Sequence, residues 1–114
     1  MELSVYIENT VRNFSRYHKY GIGSDMRGIA RKIVRLIIRA NSRHDKSPVL
    51  CELVEVCEQL KVSLVLAKEL KAFQNFNSFQ HAACMATSLC RQSEGWFKSS
   101  KKGRNHQPHP GVGR

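Results

Sequence analysis

The sequence predicts an all-α fold, an antiparallel up-down-up-down four-helix bundle, from three observations. Four segments carry apolar residues at three-and-four spacing, the period of an amphipathic helix. The connections between these segments are short, which favours antiparallel neighbours. No stretch alternates apolar and polar residues as a half-buried strand does. The chain has 114 residues, enough for one small domain.

The first predicted helix covers residues 3–14 and has one apolar face. The connector after it, residues 14–23, is aromatic and basic and carries two glycines near its end. Tyr17 and Tyr20 lie between cations in this connector, which leaves two interpretations open. Such tyrosines usually pack over the end of a bundle, but between cations they also suit stacking on nucleic-acid bases. The basic residues around them are candidate nucleic-acid contacts: Arg12, Arg16 and Lys19.

The second predicted helix, residues 23–43, has two unlike faces, with Ser24 or Gly23 as its N-cap. Its apolar stripe consists of Met26, Ile29, Ala30, Ile33, Ile37 and Ala40. An arginine recurs at every fourth position on the other side, and the only acids nearby are Asp25 and Asp45, one at each end. Because cations four apart on a helix repel one another, this row is either a solvated face or a surface for a polyanion. The candidate contacts are Arg27, Arg31, Lys32, Arg35, Arg39 and Arg43.

The third predicted helix, residues 48–73 with Ser47 as N-cap, is apolar on two sides. One side is a seam spaced 3-4-3-4-3, made of Leu50, Leu53, Cys57, Leu60, Leu64 and Ala67. A second row lies on the far side, and a four-helix bundle leaves nothing within the chain to cover it. We therefore predict a subunit interface there, the alternative being a monomer with an unusually apolar helix. The predicted interface residues are Val62, Leu66, Leu70 and Phe73.

The fourth predicted helix follows Asn75 as N-cap and extends to Phe97. From Lys98 onward the chain has no apolar period, two prolines and no acid, which is typical of a disordered tail. The predicted domain organisation is thus a bundle over residues 1–98 and a basic disordered tail over residues 99–114. The tail region contributes three further candidate nucleic-acid contacts: Lys98, Lys101 and Lys102.

The charge of the chain restricts its partners. The net charge is +10, from 19 Lys and Arg against 9 Asp and Glu. Such an excess suits nucleic acid, an anionic membrane or an acidic protein. No secretory pattern opens the chain, and its longest uncharged stretch, residues 72–90, is too rich in Gln, Asn, Ser and His to span a bilayer. We expect a cytoplasmic protein without a membrane partner.

No catalytic, cofactor or metal constellation is apparent in the sequence. Glu52, Glu55 and Glu58 share a predicted helix, but the Glu-x-x-His motif of di-iron bundles is missing. The four cysteines form two pairs with a spacing of six. On a helix that spacing puts two thiols about 120° apart, so neither pair chelates one ion. We expect a protein that is not an enzyme, with all four cysteines as buried free thiols.

Three stretches carry a family resemblance: KYGIGSDMRGIARKIVRLIIRAN, LCELVEVCEQLKVSLVLAKELKAF and LCRQSEGWFK. Their most specific parts are the Gly-Ser-Asp-x-Arg opening, Ala40-Asn41, the block from Leu66 to Leu70 and the Gly-Trp near the end. In this order and spacing they resemble the accessory variability determinant (Avd) proteins of diversity-generating retroelements, over residues 12–98. These proteins belong to a wider group of bacterial four-helix bundles that includes those encoded in ribosomal RNA intervening sequences. Glu94 and Cys90 depart from the family, which often has small residues, mostly glycine, at these positions.

The resemblance implies a homopentameric barrel of four-helix bundles that binds the retroelement's reverse transcriptase and template RNA. Such a protein has no known catalytic activity and supports the mutagenic cDNA synthesis (mutagenic retrohoming) that diversifies a target gene. The residues themselves leave two other hypotheses open. One is a protein-interaction module of the intervening-sequence type that binds RNA or DNA only incidentally. The other is a bundle enzyme or metal carrier.

Overall fold

The computed structural model describes the backbone of residues 2–106 and the side chains of residues 2–101. Within this range the secondary structure is helical throughout, and no strand is present, which confirms the all-α class. The helices are α1 (Glu2–Arg12), α2 (Arg16–Tyr20), α3 (Ile22–Ser42), α4 (Ser47–Glu69) and α5 (Phe76–His106). No helix of the described chain is long and apolar enough to cross a membrane.

The short helix α2 lies inside the predicted connector, where the apolar pattern gives no sign of it. It has five residues and buries none of them, so it carries no helical period. Ser15 is its N-cap, and the Ser15 hydroxyl accepts a hydrogen bond from the His18 amide at 3.5 Å. Gly21 ends α2 and serves as the N-cap of α3, so the predicted cap at Gly23 or Ser24 is wrong. Both of those residues lie in the first turn of α3.

Gly23 is the point where the first three helices meet. A Cβ atom at this position would lie 2.7 Å from Val11 Cγ1, 2.9 Å from the His18 carbonyl oxygen and 3.2 Å from Phe14 Cδ2. These distances are shorter than ordinary van der Waals contact, so only glycine lets α1 and α2 approach α3 this closely. The glycine therefore fixes the junction on which the basic and aromatic residues of α2 are mounted.

Helix α3 buries most of the predicted stripe. Its fully buried members include Met26, Ala30 and Ile33, while Ile29 and Ile37 are half-buried at its edges. The structure adds Leu36, which is 2% exposed and was not in the predicted stripe.

Helix α4 begins one residue earlier than predicted and ends sooner. The predicted N-cap Ser47 is the first residue of the helix instead, and Lys46 is the N-cap. Asp45 Oδ1 accepts a hydrogen bond from the Ser47 amide at 3.3 Å. The end is a Schellman motif: the Ala72 amide donates to the Ala67 carbonyl at 2.9 Å, around Lys71 with φ of 61°. The left-handed backbone at Lys71 interrupts the helix before Phe73. The apolar pattern continues to Phe73, but it does not carry the helix past this turn.

Helix α5 begins as predicted, with Asn75 Oδ1 accepting from the Ser78 amide at 2.8 Å. It passes the predicted domain boundary at residue 98 and continues to His106. The first part of the predicted tail is therefore helical. The remainder, residues 107–114, lies outside the described residues.

The helices pack in a closed order. Helix α3 packs against α1 and α4, α5 packs against α4, and α1 also reaches α5, while α2 rests on α3. The α1–α5 contact includes Tyr6, whose hydroxyl donates to the Ser78 carbonyl at 3.4 Å and whose ring lies 4.6 Å from that of His81. The extents of the molecule are 59 × 21 × 18 Å, as expected for long helices lying side by side.

Candidate nucleic-acid interface

An acidic residue of α1 pairs with the first part of the basic row of α3 and, among the described residues, leaves the second part unpaired. Glu8 on α1 lies against the first two arginines of the row. Glu8 Oε1 is 3.2 Å from Arg27 Nε, and Glu8 Oε2 accepts from Arg31 Nε at 3.0 Å and lies 2.9 Å from Arg31 Nη2. One carboxylate thus partly neutralises two cations, and their side chains hold α1 onto α3. In the unbound protein, Arg27 and Arg31 act first as structural residues.

The second part of the row keeps its charge. Arg35, Arg39 and Arg43 are exposed, and within residues 2–101 none of them forms an ion pair. Lys32, beside the row, lies 3.4 Å from Glu52 on α4. The strongest unbalanced positive field of α3 is therefore at its C-terminal half.

A further lysine reinforces this end of α3 without joining its surface. Lys46 Nζ donates to the Ala40 and Arg43 carbonyl oxygens, at 2.9 Å each. These carbonyls belong to the last turn of α3 and its C-cap, where the helix dipole attracts a cation. Lys46 was not predicted as a site residue, because its role depends on how the loop after α3 folds back.

The remaining predicted contacts lie at other places on the molecule. Arg12 and Arg16 are exposed near the junction of α1 and α2, with Lys19 half-buried beside them. Lys98 is exposed on α5, and Lys101 Nζ lies 5.3 Å from the centre of the Phe97 ring. The side chain of Lys102 is outside the described residues. The predicted set is thus not one continuous patch.

The two tyrosines of α2 do not pack over the end of the helices, so that interpretation is wrong. Tyr17 is 84% exposed and Tyr20 is 72% exposed. Both tyrosines line a surface depression, together with Leu70 at the C-cap of α4. The aromatic rings are therefore available to a ligand.

The second apolar row of α4 is exposed over most of its length. Val62 is 68% exposed, Leu66 48% and Leu70 46%. Phe73 differs from them, because its ring packs edge-on against Phe14 at 5.4 Å and also against Phe79. The structure adds Val65, which is half exposed next to the row and was not predicted.

The cysteines divide into two environments, so the expectation that all four are buried is wrong. Cys57 and Cys90 are buried, whereas Cys51 and Cys84 are exposed. A spacing of six turns the helix by about 120°, which carries one thiol of each pair out of the core. Burial raises the pKa of the Cys90 thiol to about 12 and also raises that of Cys57, which contacts Ser93 Oγ at 3.7 Å. Both buried thiols stay protonated at neutral pH.

The described residues offer no group of three or more His, Cys, Asp or Glu side chains placed to hold a metal ion. What the geometry can do is bind anions, through exposed guanidinium groups, and present apolar surface. Comparison with protein families, curated proteins and solved structures finds no significant match to the chain.

Proposed function

We propose that the protein is a non-catalytic accessory factor of a diversity-generating retroelement, of the accessory variability determinant type. It acts in the cytoplasm, binding the element's reverse transcriptase and its template RNA or DNA through a basic surface, and so supports mutagenic cDNA synthesis. Its four long helices form an antiparallel up-down-up-down bundle, and copies of the chain assemble into a homopentameric barrel. The sequence resemblance supplies the family and the number of subunits.

The arrangement of helices supports the bundle. Each of α1, α3, α4 and α5 packs against two of the others, in the order α1–α3–α4–α5 and back to α1. This is the neighbour order of an up-down bundle with short connections.

The free arginines of α3 are the observation that carries the proposal. Arg35 and Arg39 are four residues apart on α3, which is about 6 Å along the helix axis, and Arg43 follows four residues later at the C-cap. Two nucleotide steps of a duplex strand span a similar length, at about 3.4 Å per step. Three unpaired cations in such a line suit the phosphate backbone, and recognition by them is independent of sequence.

The exposed row of α4 supports self-association. Val62, Leu66 and Leu70 follow one another at intervals of four residues, so they form a stripe on one side of the helix. In an oligomer this stripe is covered and the arginine rows of several copies are brought together. A combined row binds a long polyanion more tightly than one copy does.

Nucleic-acid binding is tested by replacing Arg35, Arg39 and Arg43 with alanine. The control replaces Lys61, Lys71 and Arg91, which removes the same charge outside the predicted set. We expect the first variant to lose affinity for single-stranded RNA, and its slope of log Kd against log salt to fall by about 2. We expect the control to keep most of the wild-type slope. Equal behaviour of the two variants would show that only net charge matters and would refute a binding surface on α3.

Self-association is tested by Leu66→Glu in sedimentation velocity, with Val5→Glu as the matched control. Val5 is an exposed apolar residue of α1 outside the row, 58% exposed. We expect Leu66→Glu to lower the sedimenting mass and Val5→Glu to leave it unchanged. A wild-type protein that sediments as a monomer would exclude the barrel.

A second candidate is a protein-interaction module in which the arginines bind an acidic partner. The Glu8 pairing favours it, since Arg31 of this row donates a hydrogen bond to a carboxylate at 3.0 Å. Binding to the reverse transcriptase separates the two functions. If the variant lacking Arg35, Arg39 and Arg43 no longer binds the reverse transcriptase but keeps its affinity for RNA, the interaction module is the better description.

A further inference from the structure

We propose that Tyr17 and Tyr20 form a stacking platform for unpaired nucleobases, so that the protein prefers single-stranded nucleic acid to a duplex. This inference rests on the proposed function and adds which part of the nucleic acid is recognised. The arginines of α3 bind phosphates, whereas the platform binds the faces of bases.

The exposure of both rings is the first step of the argument. Tyrosine has a large apolar ring that is normally packed, yet these two rings are 84% and 72% exposed. They lie three residues apart on α2, so they project from neighbouring positions on one side of the helix. Because α2 buries none of its residues, core packing does not explain why aromatic residues stand there.

The platform is held in place rather than carried on a free loop. Helix α2 is capped by Ser15 at one end and joined to α3 through Gly21 at the other. The close approach at Gly23 sets the distance between α2 and α3. The ring of His18 lies 5.2 Å from that of Tyr17 in an edge-on arrangement, which restricts the Tyr17 side chain further. A positioned ring loses little entropy when a base stacks on it.

The charge around the rings selects a polyanion as the ligand. The sequence of α2, RYHKY, contains no acid, and Arg16 and Lys19 alternate with the aromatic residues. The platform borders a surface depression of about 470 Å³, which Arg16, Tyr17, Tyr20 and Leu70 help to line. Cations interleaved with exposed aromatic rings are typical of single-strand binding surfaces, where the cations follow the backbone and the rings take the bases. A duplex keeps its bases stacked inside, so only an unpaired strand can use both features.

The test compares two strands in fluorescence anisotropy, a short oligouridylate and an abasic phosphodiester strand of equal length. The two carry the same phosphates and differ only in the bases. We expect the wild type to bind the oligouridylate at least about 5-fold more tightly, since each base stacked on an aromatic ring contributes about 5- to 140-fold in Kd. The double variant Tyr17→Ala, Tyr20→Ala loses this preference, whereas Tyr17→Phe, Tyr20→Phe keeps it because the rings remain.

A third variant separates the platform from the phosphate surface. Replacing Arg35, Arg39 and Arg43 with alanine lowers the affinity for both strands but preserves the ratio of the two affinities. If the wild type binds both strands equally, the stacking platform is refuted while the proposed function stands. If it binds neither strand, the proposed function falls as well. A changed sedimenting mass for the double alanine variant would overturn the platform in favour of a contact between copies of the chain.

Discussion

Replacing Gly23 with alanine tests whether α1, α2 and α3 really converge on one backbone position. The added Cβ would meet Val11 Cγ1 at 2.7 Å and the His18 carbonyl oxygen at 2.9 Å. A valine methyl group can turn aside, but the His18 oxygen is backbone, so α2 itself has to move. We expect the substitution to destabilise the protein and to loosen α2 on α3.

The magnitude follows from two opposing effects. Overpacking a close contact costs about 1–3 kcal/mol in free energy of unfolding. Alanine in place of glycine inside a helix returns about 0.5–1 kcal/mol. Gly28 provides the matched control, because it lies in the same helix and a Cβ there meets nothing within 4 Å. Gly28→Ala should therefore stabilise by about 0.5–1 kcal/mol, leaving the two variants about 1–3 kcal/mol apart, the overpacking cost alone.

Urea unfolding followed by circular dichroism measures both variants at one protein concentration, since self-association contributes to apparent stability. We expect the midpoint to fall for Gly23→Ala and to rise for Gly28→Ala, with similar m-values. If Gly23→Ala is as stable as Gly28→Ala, the junction has room for a methyl group and the close approach of the three helices is incorrect.

Three further outcomes follow from individual contacts. Glu8→Gln should raise the affinity for RNA several-fold, because it releases Arg27 and Arg31, and should lower the free energy of unfolding by about 1 kcal/mol. An unchanged RNA affinity in fluorescence anisotropy would mean that both arginines are already available. Lys71→Gly should raise stability by about 1 kcal/mol, because glycine adopts the left-handed conformation without strain, whereas Lys71→Ala should give no gain in urea unfolding. The pKa of Cys90 is raised from 9.0 to about 12 in the folded state, so the unfolded state loses the proton first and stability falls as pH rises above 9. Cys90→Ala should show a shallower decline between pH 9 and pH 11, and an equal decline would contradict the buried thiol.

The periodic parts of the fold could be predicted from the sequence, and the contacts between distant segments could not. The stripe of α3 and the seam of α4 follow from local spacing, and Asn75 from cap chemistry. Helix α2 is too short and too exposed to leave a period. The positive φ of Lys71 is also invisible, because the Schellman turn usually takes glycine at that position.

The candidate site shows the same division. The arginine row can be found by counting residues in fours, which one helix suffices to do. That Glu8 lies on Arg27 and Arg31 depends on how α1 docks, 23 residues away from Arg31 in sequence. The sequence pattern therefore overestimates the unpaired charge in the first half of α3. In the second half, the pattern shows a line of arginines without acidic neighbours on the same helix.

The contact between α1 and α5 has a consequence for how the chain folds. The pairs α1–α3, α3–α4 and α4–α5 join neighbours across short connections and cost little loop-closure entropy. The Tyr6 hydroxyl and the Ser78 carbonyl are 72 residues apart, so this pair forms only after the intervening helices have come together. Closure of α1 onto α5 should be the late step. Substitutions of Tyr6 should then speed unfolding and leave the refolding rate nearly unchanged.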